Sequence, residues 1–401
     1  MLTISKCNGI GGTIKDTPGD FLVEEISENG TVLELDRVYT KEELGFDGDG
    51  EDPKKFTTFV LQKRDWNTIQ ALKTIARRFR RGVKSTSFAG TKDRASVSTQ
   101  LCSIFGITPE ALLGIHIKDL KINGAWQSND KVKMGSLLGN RFTVTIKDAG
   151  ETENIENINE ELKGLFPNYF GEQRFGVRSN NVQIGLDIIE GDFKGAVEKF
   201  LLDTTNERNS DAVEARKRLA EEQDYGKALE YFPQYLKYER TLLDSLANDP
   251  ANHAKALRKL PRNLTLMFVH SIDSYIFNEE VEKRVKEGST APKSGDRLCG
   301  AGYYGFPDET REGDDFILGN IIGYESAVND DEKAILDELG ITQEQFKVKG
   351  MPELNCRGGR RALFSVYKDF SYSVEKDVKM RFALPSGSYA TVFLNEFLKK
   401  D

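Results

Sequence analysis

The chain has four cysteines and three histidines in 401 residues, and none of them cluster: Cys7, Cys102, Cys299 and Cys356 stand far apart, as do His116, His253 and His270. No Cys-x-x-Cys pair occurs, so neither a disulfide framework nor a structural zinc site is expected. The histidines read as structural, His270 falling inside an apolar helical pattern. No run approaches the roughly eighteen apolar residues that span a bilayer, and residues 1–15 lack the apolar core of a signal peptide. A cytoplasmic protein with no membrane association is the expectation. Nucleotide fingerprints are missing too: Gly9-Ile10-Gly11-Gly12 is only a faint phosphate loop, and no Gly-x-Gly-x-x-Gly follows a strand pattern. The acidic run at 47–52 lacks the sixth-position glycine of a calcium loop and reads as a solvated turn. No cofactor and no metal are expected.

What is present is a chain of 38% hydrophobic and 30% charged residues, long enough to suggest two domains. Its net charge of -8 argues against a polyanionic partner. Local charge says the opposite. Between positions 71 and 100 lie Lys73, Arg77, Arg78, Arg80, Arg81, Lys84, Lys92 and Arg94 against the single acid Asp93, and binding responds to such a patch rather than to the total.

Alternation at Phe21 and Val23, then at Thr31, Leu33 and Leu35 beyond Asn29-Gly30, predicts two strands, and 56–61, 97–105, 142–146 and 378–384 read likewise. From Asn67 or Thr68, both good N-caps, Ile69, Leu72, Ile75, Ala76 and Phe79 recur at helical spacing, with Lys73, Arg77, Arg80, Arg81 and Lys84 on another face. A short helix is expected over 155–165. Between about 185 and 350 the pattern turns helical, with helices over 193–202, 211–222 and 264–286 before a Gly/Pro-rich stretch at 292–307; the chain closes on a helix carrying Phe393, Leu394, Phe397 and Leu398. The expected fold is mixed α+β: a sheet domain formed by residues 1–184 and 352–401, and an inserted, mainly helical domain over 185–351.

Chemistry concentrates in Gly90-Thr91-Lys92-Asp93-Arg94-Ala95, where one carboxylate stands between two cations in a small-residue loop. Lys92 and Arg94 are expected to hold Asp93 ionised, and so a nucleophile rather than an acid, while Gly90 and Ala95 permit close approach. Asn168-Tyr169-Phe170-Gly171-Glu172-Gln173-Arg174-Phe175-Gly176 gathers aromatics, amides and a guanidinium, the groups that stack an unpaired base and read its edge, or that simply pack a core. Lys15 precedes the strand at Asp20-Phe21-Leu22-Val23 and could reach a phosphate. Leu384-Pro385-Ser386-Gly387-Ser388-Tyr389-Ala390-Thr391 opens a helix with an aromatic.

Together these four segments resemble the TruD family of tRNA pseudouridine synthases. The family carries a Gly-x-Lys-Asp loop with a downstream glutamine (here Gly90 to Asp93, then Gln100), an Asn-Tyr-Phe-Gly-x-Gln-Arg-Phe-Gly block, an Asp-Phe-x-Val strand and a Leu-Pro-x-Gly-Ser-aromatic-Ala-Thr tail, all in the family's order. Within the insert the likeness is thinner, resting on Ser274-Tyr275-Ile276-Phe277-Asn278. The resemblance implies a pseudouridine-synthase-like catalytic domain with a largely antiparallel sheet, plus the inserted TRUD-type domain. It makes Asp93 the catalytic aspartate, acting without cofactor on a uridine flipped from tRNA, with uridine 13 of the D arm as the family's usual target. Phe21, Asn168 and Tyr389 then match positions that contact the uridine, and Phe170 matches a base-stacking aromatic. Tyr389 departs from the phenylalanine of bacterial members. A cation must sit by the desolvated aspartate, and Lys92, Lys15 and Arg174 are the candidates. Lys73, Arg77, Arg80, Arg81 and Lys84 would follow the RNA backbone. A monomer is expected. A non-catalytic RNA-binding protein, a synthase acting on other RNA sites and a metal-dependent RNA hydrolase are the alternatives.

Overall fold

In a computed structural model, residues 1–46 and 55–399 are described; the acidic run at 47–52 lies outside them. The chain divides into two compact units, one comprising Thr3–Pro167, Cys299–Phe316 and Phe364–Asp401, the other Met1–Leu2, Asn168–Leu298 and Ile317–Leu363.

The first unit is built on a mixed sheet of β1 (Phe21–Ile26), β2 (Phe56–Arg64), β3 (Thr86–Phe88), β4 (Val97–Phe105), β5 (Leu120–Ser128), β6 (Gly139–Ile146), β7 (Lys368–Val374) and β8 (Val378–Pro385). Their order is β7-β8-β6-β1-β4-β2-β5, with β3 pairing onto β4. β1 and β4 run parallel, Leu22 opposite Val97, and the other neighbours are antiparallel, so the sheet is largely antiparallel as expected. Side chains alternate across a strand, and β2 and β4 show it. Phe59, Leu61, Cys102 and Ile104 pack on one face against Ala71, Leu72, Ile75 and Ala76, whereas Val60 and Leu101 meet Leu33, Tyr39 and Trp126 on the other. β4 is therefore buried from Val97 to Ile104. The helix over it, α1 (Thr68–Arg78), is capped by the Asn67 side chain, which accepts from the amides of Ile69 and Gln70. At the far end Phe382 of β8 stacks on Phe142 of β6, with ring centroids 5.4 Å apart, and touches Phe393 of the C-terminal helix Ala390–Leu398 at 4.4 Å.

Several local expectations change. Thr31 to Leu35 contributes only an isolated bridge between Ile26 and Val32; its Leu33 is buried because the segment folds over the sheet. α1 stops at Arg78, because Phe79 caps it and Arg80 turns left-handed at φ 55°. Arg80, Arg81 and Lys84 thus lie in the following turn and 3-10 segment rather than on the helix, and Ile69 is solvent-exposed at 44%. The helix expected over 155–165 ends at Leu162, and Leu165–Pro167 instead pairs with Phe364–Val366. β5 carries no clear strand pattern: Gly124 sits in it at φ 118°, where the backbone of Tyr39 occupies the space a Cβ would take.

The second unit is mainly helical. Asn181–Glu190, Phe193–Leu202, Ser210–Glu222, Lys237–Asn248 and the long Arg262–Lys286 share one apolar core that includes Ile188, Phe200, Leu243, Phe268 and Ile272. Arg216 is buried in it, its charge met by Glu239 at 2.7 Å. A short antiparallel ladder, Leu318 with Ala362 through Ile321 with Gly359, belongs to the same unit. No helix among the described residues is long and apolar enough to cross a membrane.

Candidate active site

The loop between β3 and β4 carries Asp93, and five side-chain bonds fix it. Gln100 Nε2 on β4 donates to the Gly90 carbonyl at 2.9 Å, and Thr68 Oγ1, at the start of α1, donates to Gln100 Oε1 at 2.9 Å while accepting the Lys92 amide at 3.0 Å. Lys63 Nζ on β2 and Ser96 Oγ both donate to the Asp93 carbonyl, at 2.7 and 2.8 Å. The main chain beneath the carboxylate is thereby held from three elements, while the carboxylate itself stays 50% exposed.

Its cationic partner is Lys15, whose Nζ lies 3.2 Å from Asp93 Oδ2. Lys15 adopts a left-handed backbone, φ 64°, a conformation that costs free energy in a residue with a Cβ and is kept where surroundings enforce it. Those surroundings are visible: Thr13 pairs with Lys147, Lys147 Nζ meets Asp20 at 3.1 Å, and Asp20 caps the turn at Thr17. The same ammonium stands 4.2 Å from the centroid of Phe21, a cation–π contact that holds it over the ring. Phe21 is buried, edge-on to Phe142.

The two cations adjacent to Asp93 in sequence do not serve it directly. Arg94 pairs with Asp65 at 3.1 Å, and Lys92 turns inward to Glu25 at 2.6 Å. Tyr389 heads the C-terminal helix, where its carbonyl accepts from Val392 and Phe393, and it is half-buried.

In the helical unit the Asn168 block is organised around Phe170. Asn278 grips its backbone on both sides, accepting from Phe170 N at 2.8 Å and donating to Phe170 O at 3.0 Å. Two guanidinium groups flank the ring, Arg361 at 4.4 Å and Arg174 at 5.0 Å, with Phe277 edge-on at 5.5 Å. Arg361 also donates to Asn168 through Nε and Nη2 to the carbonyl and through Nη2 to Oδ1, the last at 2.6 Å; Asn168 Nδ2 in turn donates to the Ala362 carbonyl at 2.8 Å. Asn168 and Phe170 are thus both buried and oriented. The structure brings the predicted residues into two groups, Asp93 with Lys15 and Phe21 in the sheet unit, and Asn168 with Phe170 and Arg174 in the helical unit.

Lys63, Thr68 and Arg361 escape a reading of sequence. Lys63 looks like an ordinary strand-end lysine and Arg361 like one of a solvated pair with Arg360; Asn278 alone had a signal, in Ser274 to Asn278. Lys73, Arg77, Arg78, Arg80, Arg81 and Lys84 are all exposed. Among the described residues no group of three or more His, Cys, Asp or Glu could hold a metal ion.

The family model for tRNA pseudouridine synthase D (TruD) matches residues 1–397. A protein of Methanococcoides burtonii named as a probable tRNA pseudouridine synthase D is 31% identical, over 99% of this chain and 95% of its own. One from Thermococcus sibiricus with the same designation is 33% identical, over 99% and 97%. The fold is similar to the crystal structure of a Methanosarcina mazei protein described as a putative tRNA pseudouridine synthase D (TruD), with TM-score 0.75 and 29% identity over 100% of this chain and 96% of that one.

Proposed function

This chain belongs to the TruD family of tRNA pseudouridine synthases, and from that footing we propose that it isomerises uridine to pseudouridine in tRNA, at uridine 13 of the D arm, with Asp93 as nucleophile and no cofactor. The observation that carries the reading is the Asp93 carboxylate itself: ion-paired with Lys15, half open to solvent, and mounted on a loop whose backbone is tied down from β2, β4 and α1.

Asp93 bonds to the target nucleoside while the C1′–N1 bond breaks. The uracil turns, C5 joins C1′ as the bond to Asp93 breaks and frees the carboxylate, the C5 proton leaves and N1 gains one. Atoms and oxidation level balance, so no redox partner enters. Lys15 faces the carboxylate when the substrate displaces water, an opposite charge at this distance offsetting desolvation. Flipping the uridine out of its stack costs a few kcal/mol, and aromatic stacking returns about 1–3 kcal/mol per base. Phe170, Phe21 and Tyr389 are the aromatics assigned to the base, Asn168 to its edge and Arg174 to supporting charge, while Lys92 braces the loop through Glu25. Lys73, Arg77, Arg80, Arg81 and Lys84 are assigned to phosphates. In this reading residues 1–184 and 352–401 perform the chemistry and 185–351 clamp the RNA.

The test is direct. Unmodified tRNA is incubated with the protein and pseudouridine is mapped by carbodiimide adducts. The wild type gives a signal at position 13, and Asp93→Asn binds tRNA but gives none. A wild type that binds without signal is a pure RNA binder, and signal retained by Asp93→Asn removes the nucleophile assignment.

A further inference from the structure

Lys63 is a buried lysine whose hydrogen bond goes to a main-chain carbonyl. It enters from β2, opposite Ser98 of β4 and Leu120 of β5, and its side chain is closed to solvent at 0% exposure. Buried lysines are rare unless paired. Here the acceptor is the Asp93 carbonyl, at 2.7 Å, alongside Ser96 Oγ at 2.8 Å. Two donors on one carbonyl oxygen fix the direction of the Asp93 peptide, and through it the direction in which the side chain leaves the loop. Glu25 on β1 is occupied by Lys92 and by the Leu101 amide.

We propose that Lys63 is a positioning residue for the Asp93 nucleophile, holding the peptide by its carbonyl and adding a second positive charge at the residue whose carboxylate Lys15 meets. This rests on the reading of Asp93 given above. The charged and titratable groups facing Lys63 are Asp93 and Lys92 from the loop and the Cys102 thiol from β4. Burial drives the Lys63 amine down to about 8, with Lys92 adding to that and Asp93 opposing it. Burial also pushes the Cys102 thiol well up, so it stays neutral. A lysine with a depressed value is charged below about pH 8 and neutral above it. The charge at the Asp93 carbonyl is therefore lost as the solution becomes mildly alkaline.

The experiment uses the full chain on unmodified tRNA under single-turnover conditions, from pH 6 to 10, for wild type, Lys63→Met, Lys63→Arg and Asp93→Asn, with tRNA binding measured separately. The expectation is that Lys63→Met slows the chemical step on the order of 10- to 100-fold, the scale at which small misplacements act, while tRNA affinity stays within about twofold. The wild-type rate falls on an alkaline limb near pH 8; Lys63→Arg, charged throughout, loses that limb. A Lys63→Met rate equal to wild type, or a limb unchanged in Lys63→Arg, overturns the proposal. Should Lys63→Met not fold, the Lys63→Arg profile decides alone. A wild type that forms no pseudouridine, or an active Asp93→Asn, overturns the nucleophile reading instead, so the two failures are separable.

Discussion

Lys92 Nζ lies 2.6 Å from Glu25 Oε2, with the two side chains 4% and 0% exposed, so the lysine next to the candidate nucleophile is part of the sheet's interior. Glu25 Oε1 also accepts the Leu101 amide at 2.8 Å. One carboxylate on β1 thus ties the Asp93 loop to β4. Removing one partner of such a pair strands a buried charge, whereas removing both leaves none.

Glu25→Gln and Lys92→Met are each expected to destabilise the fold by about 3–5 kcal/mol, read as a lower urea midpoint. The double variant Glu25→Leu/Lys92→Met should recover most of that loss. Single variants that unfold at the wild-type midpoint would show that the pair does not brace the loop.

Lys15 behaves differently, because its pair with Asp93 is 23% and 50% exposed. Such a pair contributes about 0–1 kcal/mol to folding, so Lys15→Met should leave the melting temperature almost unmoved. Its effect grows once a nucleotide excludes water and lowers the local dielectric. The single-turnover rate should drop roughly 100-fold. An undiminished rate would mean that another group supports the carboxylate in the complex.

Arg361 is expected to need its planar fork as well as its charge. It reaches two acceptors on Asn168 and covers the Phe170 ring, and lysine cannot reproduce that fork. Arg361→Lys should lower kcat by about tenfold, with a smaller change in KM, since geometry rather than RNA contact is altered. A change confined to KM would reassign Arg361 to the RNA surface.

The main sheet is legible in the sequence because β1, β2, β4, β6 and β8 carry strand patterns, and helices such as Phe193–Leu202 carry clear periodicity. β5 hides behind Gly124, whose role depends on the Tyr39 backbone more than eighty residues away in sequence. The end of α1 is obscured for a local reason: a run of arginines continues the cationic pattern across a break that only the left-handed Arg80 reveals. Asp93 itself is readable from composition, and Lys15 only as one of three candidate cations. Lys15 comes from 78 positions earlier through a left-handed turn, and side-chain pairing at that separation leaves no periodic trace.

Lys63 also predicts a pH dependence of stability. Its value falls from the ordinary 10.5 to about 8 on folding, so between those values the unfolded chain binds more protons than the folded one, and stability rises with pH. Below pH 8 the buried charge costs on the order of 3 kcal/mol, and the cost is relieved by about pH 10.5. Lys63→Met, free of it, should be more stable than wild type at pH 7 and lack the rise. A steeper rise in the variant would reverse the assignment.

The break after Arg78 divides the cationic patch into a helical group, Lys73, Arg77 and Arg78, and a turn group, Arg80, Arg81 and Lys84. The two groups are fixed by different backbone segments, so they need not follow the same stretch of RNA. If both touch phosphates, reversing either group weakens tRNA binding and flattens the plot of log affinity against log salt, by roughly 0.7–0.9 for each phosphate no longer neutralised. Lys73→Glu/Arg77→Glu and Arg81→Glu/Lys84→Glu should then act additively on the slope. A slope altered by one pair alone would assign the other pair to solvent, and α1 or the turn would be singled out as the track for the backbone.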